Sequence, residues 1–225
     1  MMTLIESGNK MAARLSVVDG AKGPGRNRDA KQERSRRRRQ VLSEVVMQLV
    51  REKGFAGISI NEVAERASIS VGGLYRHIAT KSDLLELVCD EINLGLLEEM
   101  KEAAAAQAGV SAKLEAAVRT YWMRHWECSA AILVAYREYP SFSEEAQQRY
   151  REEERRLAEY LGDLIRAGTI LGEFREVDDR VLAYEIILLS HMRALKGYAF
   201  KDRERDDVFA EQLDLILSRL LPAAE

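Results

Sequence analysis

Cysteine and proline are scarce in this chain: there are two cysteines, Cys89 and Cys128, and three prolines among 225 residues. Two cysteines exclude a disulfide-dense scaffold and fit a protein kept reduced in the cytoplasm. Long apolar runs are lacking as well. The opening MMTLIESGNKMAARLSVV has no apolar core of the roughly 7–15 residues that a secretory signal needs. The most apolar stretch, VLAYEIILLSHMRALKGYAF, is broken by Glu185, His191, Arg193 and Lys196 and falls short of the roughly 18 residues of a membrane span. The expectation is a cytoplasmic protein with no membrane segment.

Chemistry-bearing motifs are equally sparse. His77, His125 and His191 are the only histidines and stand far apart. Cys-x-x-Cys, His-Glu-x-x-His, Gly-x-Ser-x-Gly and a Gly-rich phosphate loop are all missing, so no catalytic residue, metal site or cofactor is expected. The alternation of a half-buried strand is found nowhere, and Leu, Ala, Glu and Arg dominate, which favours helix. The fold class expected is all-α.

Charge is unevenly spread. Residues 1–81 hold 16 Lys+Arg against 8 Asp+Glu, and the rest holds 18 basic against 29 acidic residues. A basic head on an acidic body is the asymmetry of a chain that meets a polyanion at one end. Residues 1–33, with Gly8, Gly20, Gly23, Pro24 and Gly25, read as a flexible extension. It closes on RSRRRR, residues 34–39.

Helical periodicity begins at Gln40, with Leu42, Val45, Val46 and Leu49 on one face and Gly54 at the end. Ser59-Ile60-Asn61-Glu62 reads as a capping box opening a short helix through Val63, Ala64 and Ala67. Ser68-Ile69-Ser70 is a tight turn, and a further short helix is expected from Val71 to Ile78. Thr80-Lys81-Ser82-Asp83 opens a long helix expected to run through Leu84, Leu85, Val88 and KEAAAAQA to Gly109. Three short helices, the last two joined by about three residues, form a helix-turn-helix, whose second helix enters the DNA major groove. Further helices are expected over 111–127, 129–139, 143–167, 178–200 and 205–221. The division expected is an extension, 1–33; a helix-turn-helix DNA-binding domain, 34–80; and a larger helical domain, 81–225.

The residues Gly54-Phe55, Ser59-Ile60, Val63-Ala64, Ala67, Ser70, Gly72, Leu74-Tyr75, His77, Lys81, Leu84 and Leu85 together resemble the DNA-binding domain of the TetR family of bacterial transcriptional regulators. The resemblance covers about 50 residues. Gly73 stands where the family often has Thr or Ser, and Ile78 where Phe is common. The resemblance implies a repressor whose helical body binds a small molecule and dimerises. It also implies that Gly72 is a packing and turn position, and that Gly73 gives up a hydroxyl often aimed at phosphate.

Candidate DNA contacts follow from side-chain chemistry. Tyr75 and His77 can donate to phosphate oxygens, and Lys81 sits where a helix N-terminus favours an anion. Ser59, Ser70, Val71, Gly72, Gly73 and Arg76 are candidates near the reading edge; Arg76 can read guanine and Val71 a thymine methyl. Arg36, Arg37, Arg38 and Arg39 form a basic arm suited to phosphates or the minor groove. Palindromic double-stranded DNA is the partner expected, with a homodimer placing its reading helices about 34–36 Å apart.

In the body, Trp122, His125 and Trp126 share one helical face, and Tyr136, Arg137, His191, Met192 and Arg193 join them as candidate ligand contacts. The ligand expected is apolar in body and anionic at one end, met by Arg124, Arg137, Arg193 or Lys196. AILVAYREYP and LLSHMRALKGYAF resemble family members linked to fatty-acid or aromatic-acid degradation, which implies an acyl-CoA effector. Two other readings stay open: an α-helical enzyme, and a helical architectural or interaction protein that binds DNA without sequence preference.

Overall fold

The computed structural model describes residues 24–75 and 78–222, with side chains described from residue 33. Two compact units divide the chain, residues 1–36 and 37–225. Among the described residues every regular element is helical, α or 3-10. Helix α1 is Pro24–Lys53, and α2 and α3 are Ile60–Arg66 and Val71–Leu74. The next helices are α4, Lys81–Asn93, and α5, Leu96–Ala105. Then come α6, Val110–Glu127, α7, Ser129–Glu138, and α8, Glu144–Ile170. Finally come α9, Asp179–Ser190, α10, Met192–Lys196, and α11, Arg205–Leu220.

Three boundaries differ from expectation. Helix α1 begins at Pro24, well before the apolar periodicity, so residues 24–33, expected in the non-helical extension, are helical. Proline suits a first helical position, and the Arg, Lys and Gln that follow are good helix formers. The remainder of the extension lies outside the described residues. The long helix expected from Lys81 is two helices, because Leu94 turns extended (ψ 117°) and Gly95 takes a left-handed φ of 74°. The helix expected over 178–200 is broken at His191, whose backbone (φ −87°, ψ −2°) ends α9 and opens α10.

The first capping residues do what their types dictate. Ser59, Ser70 and Thr80 each accept from the backbone N–H three residues on, satisfying a donor that has no partner in the helix. At α4 the box is reciprocal: the Asp83 carboxylate accepts from the backbone N–H groups of Ala79 and Thr80 at 2.7 and 3.0 Å. At α2 it is only half made, since Glu62 pairs instead with Lys53 and Arg66.

Within the second unit, the head core of Leu42, Val46, Leu49, Val63, Leu74 and Ile78 is continuous with Leu84, Val88 and Ile92 of α4, Ile132 of α7 and Ala194 of α10. Each such aliphatic side chain contributes on the order of 1.5–3 kcal/mol by leaving water. The boundary expected at residue 80 therefore falls inside one packing layer. A second core gathers α5, α6, α8, α9 and α11 around Leu114, Tyr121, Trp122, Leu161 and Phe209.

Gly168 of α8 lies against Phe174, where a Cβ would stand 2.1 Å from the ring. That buried ring cannot retreat, so Gly168→Ala is expected to cost about 1–3 kcal/mol. Gly72, beside which a Cβ would meet nothing within 4 Å, is the control: Gly72→Ala is expected to leave the Tm unchanged or raised. Thermal unfolding of the two variants checks both.

Candidate functional site

The exposed edge of the head is short α3. Val71 and Tyr75 are 38% and 52% exposed, Ser70 and Gly72 are exposed, and Gly73 is half-buried. Ser70 presents its hydroxyl oxygen to the Gly73 N–H at 3.0 Å, which fixes the start of the helix. Space is open beside Gly72, so it is not the intramolecular packing position that the family resemblance implied. Its bare backbone faces outward, where only a partner can approach it. Ser59 is also exposed, at the cap of α2. Arg76 and His77 lie outside the described residues.

Several expected phosphate ligands already hold intramolecular partners. The Lys81 ammonium donates to the Ala56 carbonyl at 2.9 Å and lies 5.0 Å from the centre of the Phe55 ring, so it pins the turn between α1 and α2. The Asp83 carboxylate occupies the backbone donors at the start of α4. Burial works against its charge, but the Thr80 hydroxyl and the Thr80 and Ala79 N–H groups hold its pKa below the usual carboxylate range. Arg36, Arg37, Arg38 and Arg39 are exposed along α1. Arg39 donates to Asp90 of α4 at 3.0 Å, and Arg149 of α8 stands 3.7 Å from the same carboxylate.

The candidate ligand residues do not gather in one place. Trp122 and Trp126 stack at 4.6 Å, and Phe209 meets Trp122 edge-on. The Trp122 indole N–H donates to Gln212 at 2.6 Å. Arg193 lies 4.4 Å over the Trp126 ring and donates to the Trp126 carbonyl, so both its charge and its hydrogen bonding are engaged. Met192 contacts the Gln212 amide and lines a groove between α9 and α11. Arg137 is exposed on α7. Arg124, another expected anion partner, is held by both carboxylate oxygens of Glu99 and by the Ile92 carbonyl, bridging the break between α4 and α5.

His125, His191 and Tyr136 do come together, with Tyr121. The break at His191 turns its imidazole between two phenols: Nε2 lies 3.2 Å from the Tyr121 hydroxyl and Nδ1 lies 2.9 Å from that of Tyr136. His125 stacks on Tyr121 at 4.0 Å, and its Nδ1 lies 2.9 Å from the Tyr121 carbonyl. A carbonyl only accepts, so Nδ1 carries the proton and Nε2 is a bare acceptor. Beside His125 is a small void of about 10 Å³, lined also by Cys89, Asn93 and Tyr150 and near the limit for one water.

Burial sets the ionisation of this cluster. It pulls His125 from 6.5 down to about 3, with help from His191, and His191 down to about 4. Burial also raises the pKa of Tyr121, Tyr136, Tyr150 and Glu154, and pushes the Cys89 thiol up to about 12. Near neutral pH both imidazoles and all the phenols are uncharged.

Sequence reasoning missed Tyr121, Tyr150, Glu154 and Gln212. Tyr121 and His125 are four apart on α6, so one face should have suggested the pair. Gln212 sits between Phe209 and Ile216 on the buried stripe of α11, and a polar residue at a core position is itself a signal.

An exposed four-residue helix, set by a capped turn on a core shared with a larger helical body, is the head of a helix-turn-helix DNA-binding regulator. The family description of bacterial regulatory proteins of the tetR family matches residues 44–88, and that of the tetracyclin repressor-like C-terminal domain matches residues 107–194. The chain is 28% identical over 171 residues, 74% of its own length and 72% of the relative's, to the HTH-type transcriptional regulator HbdR of Aromatoleum sp. (strain CIB). Its fold matches a tetR-family regulatory protein from Rhodococcus RHA1 with a TM-score of 0.71 and 21% identity, over 83% of this chain and 98% of that one. It also matches AibR, solved with isovaleryl coenzyme A and operator DNA, with a TM-score of 0.62 and 20% identity, over 79% and 97% of the two chains. The protein belongs to the tetR family and is a DNA-binding transcriptional regulator. Among its described residues no helix is long and apolar enough to cross a membrane.

The two imidazoles tie stability to pH. The unfolded chain takes up their protons near 6.5, while the folded chain resists until about 4 for His191 and about 3 for His125. Between these values the unfolded state holds more protons, so stability falls as the pH is lowered through that window. The Tm is expected to drop between pH 6.5 and about 4. His191→Gln should flatten that slope, as melting curves across the range will show.

Proposed function

We propose that the protein is a homodimeric repressor that works in the cytoplasm, where the chromosome is, and leaves a palindromic operator when a small molecule enters residues 81–225. The observation that carries this is the shared packing layer: α4 and α10 bury Leu84, Val88, Ile92 and Ala194 against the head core. A ligand that moves α4 or α10 must therefore move the head. Two operator half-sites about 34–36 Å apart accept only one separation of the reading helices. Ligand and operator then oppose each other reciprocally.

On DNA, Gly72 is the point of closest backbone approach, Val71 touches a base edge, and Tyr75 with Arg36–Arg39 holds phosphate. Arg76 and His77 complete the set from the sequence. Ser59 and Ser70 flank it, and Gly73 gives close approach in place of a hydroxyl. Lys81 acts by fixing the turn that carries α2. The effector reading is an acyl thioester of coenzyme A, supported by the fold shared with AibR and its isovaleryl coenzyme A complex. His125, Tyr136 and His191 are the residues best placed to meet it. The copies pair through α9 and α11, where a groove of about 650 Å³ is lined by Leu182, Leu188, Leu189, Leu195 and Leu215. Leu188 and Leu215 are 55% and 58% exposed in the single chain, and a second copy covers them in an isologous contact.

Selection from random DNA is expected to yield a palindrome that is retained at moderate salt while unrelated DNA of equal length is released. Equal retention of both would favour an architectural DNA protein instead. Gly72→Leu should weaken operator binding about tenfold or more while the Tm is kept. Leu188→Asp with Leu215→Asp should give monomers in sedimentation and lose the palindrome preference.

A further inference from the structure

Helix α4 has a polar stripe as well as an apolar face. Ser82, Glu86 and Asp90 recur every four residues, so they share one side of the helix. The Ser82 hydroxyl lies 3.2 Å from that of Ser141, just before α8. Asp90 meets Arg39 at 3.0 Å and Arg149 of α8 at 3.7 Å. Glu86 is the more enclosed of the two acids, its side chain 13% exposed against 36% for Asp90.

The Glu86 carboxylate accepts from the Ser143 backbone N–H at 2.9 Å on one oxygen and from the Ser143 hydroxyl at 3.3 Å on the other. Arg149 stands 3.9 Å away. Ser143 is the N-cap of α8, and its hydroxyl oxygen accepts from the Ala146 N–H at 3.2 Å. In a self-contained capping box the residue three places after the cap is Glu or Gln, which reaches back to the N–H of the cap itself. In α8 that residue is Ala146, which has no group to reach back. Glu86 supplies the missing acceptor from another helix, and the dipole of α8 favours its charge there.

The apolar contact beside this bond is smooth. Leu85 and Cys89 of α4 cluster with Ala135, Phe142 and Ala146. The void of about 10 Å³ is lined by Cys89, Ala135 and Tyr150 of the same region. Side chains as small as Cys and Ala make shallow ridges, so they interlock little and hold a helix weakly against sliding or tilting. A carboxylate held through both oxygens is directional and fixes one position. The opposite face of α4 carries Leu84, Leu87, Val88 and Ile92 in the head core, together with Leu74 of α3.

We infer that Glu86 is a positioning residue for operator binding: by completing the cap of α8 it sets where α4, and with it α3, stands against the body. The role requires only the DNA-binding function and no effector. Glu86 touches no DNA and acts through α4.

Spin labels on cysteines introduced at exposed Glu65 of α2 and Asp163 of α8 read the head-to-body distance in the full-length protein, since Cys89 and Cys128 are buried. Labelled chains are diluted with unlabelled ones, so that only distances within one chain are read. Glu86→Ala is expected to shift or broaden that distance. It should also weaken binding to an operator selected from random DNA by about tenfold. Glu86→Gln keeps an oxygen that accepts from the Ser143 N–H, and should hold both readouts near those of the unaltered protein. Ser143→Pro removes the donor from the other side: φ at 143 is −57° and Phe142 before it is extended, so proline fits the backbone. It should act like Glu86→Ala, and it decides the matter where Glu86→Ala fails to fold. Ser143→Ala, which keeps the N–H, should lower the Tm through the lost cap and disturb the distance less. A lower Tm with the distance unchanged in Glu86→Ala and Ser143→Pro would make Glu86 purely stabilising and overturn the assignment. So would Glu86→Gln behaving like Glu86→Ala. The distance is read without DNA, so failure to select any operator counts against the regulator reading and leaves the positioning test intact.

Discussion

The end of α6 is where the protein is tied together. The last carbonyls of a helix lack intrahelical donors and carry the negative end of its dipole. Here those of Trp126 and Glu127 are taken by two arginines from opposite directions. Arg193 of α10 donates to Trp126 at 3.0 Å, and Arg51 near the end of α1 donates to Glu127 at 3.1 Å. A turn earlier, Arg124 sends its own guanidinium to the last turn of α4 and to Glu99 of α5. Head, connecting helix and helical body thus share one electrostatic junction. Arg193 divides its guanidinium between a carbonyl and a ring, and Arg124 between a carbonyl and both oxygens of a carboxylate, as the planar fork allows.

The same junction explains why the breaks in the chain fall where they do. Gly95 separates a helix that packs on the head from one that packs on α6, and Arg124 spans the gap. His191 separates α9, which packs on α8, from α10, which packs on α7. Straight helices in these places would make rigid rods from the core of the body to the head. Broken ones allow each half to follow its own layer.

Much of the fold was legible because caps and apolar stripes are local. Ser59, Ser70, Thr80, Ser143 and Asp178 mark true helix starts, and each accepts a backbone hydrogen bond as its type predicts. The breaks at Gly95 and His191 were not legible, for different reasons. A lone glycine inside a helical pattern is usually tolerated. The turn at His191 is fixed by tyrosines 55 and 70 residues away, which no local pattern reveals. The early start of α1 was hidden because its first turns have no apolar stripe, only good intrinsic propensity. At the candidate site, residue types were read more reliably than groupings. Trp122, His125 and Trp126 share a helix face, yet two interleaved pairs, Tyr121 with His125 and Trp122 with Trp126, divide them between separate clusters.

Arg39 carries a consequence for how tightly the head can discriminate ionic conditions. A basic side chain that reaches a phosphate frees a small cation from the DNA, and the entropy of that release makes binding fall with salt. Arg39 starts from Asp90, not from bulk water. If Arg39 is one of the groups that meet a phosphate, it leaves Asp90 to Arg149, 3.7 Å away, and exchanges one ion pair for another. Salt screens the pair that is given up as well as the one that is gained, so such an arginine would make binding less salt-sensitive than one drawn from bulk water.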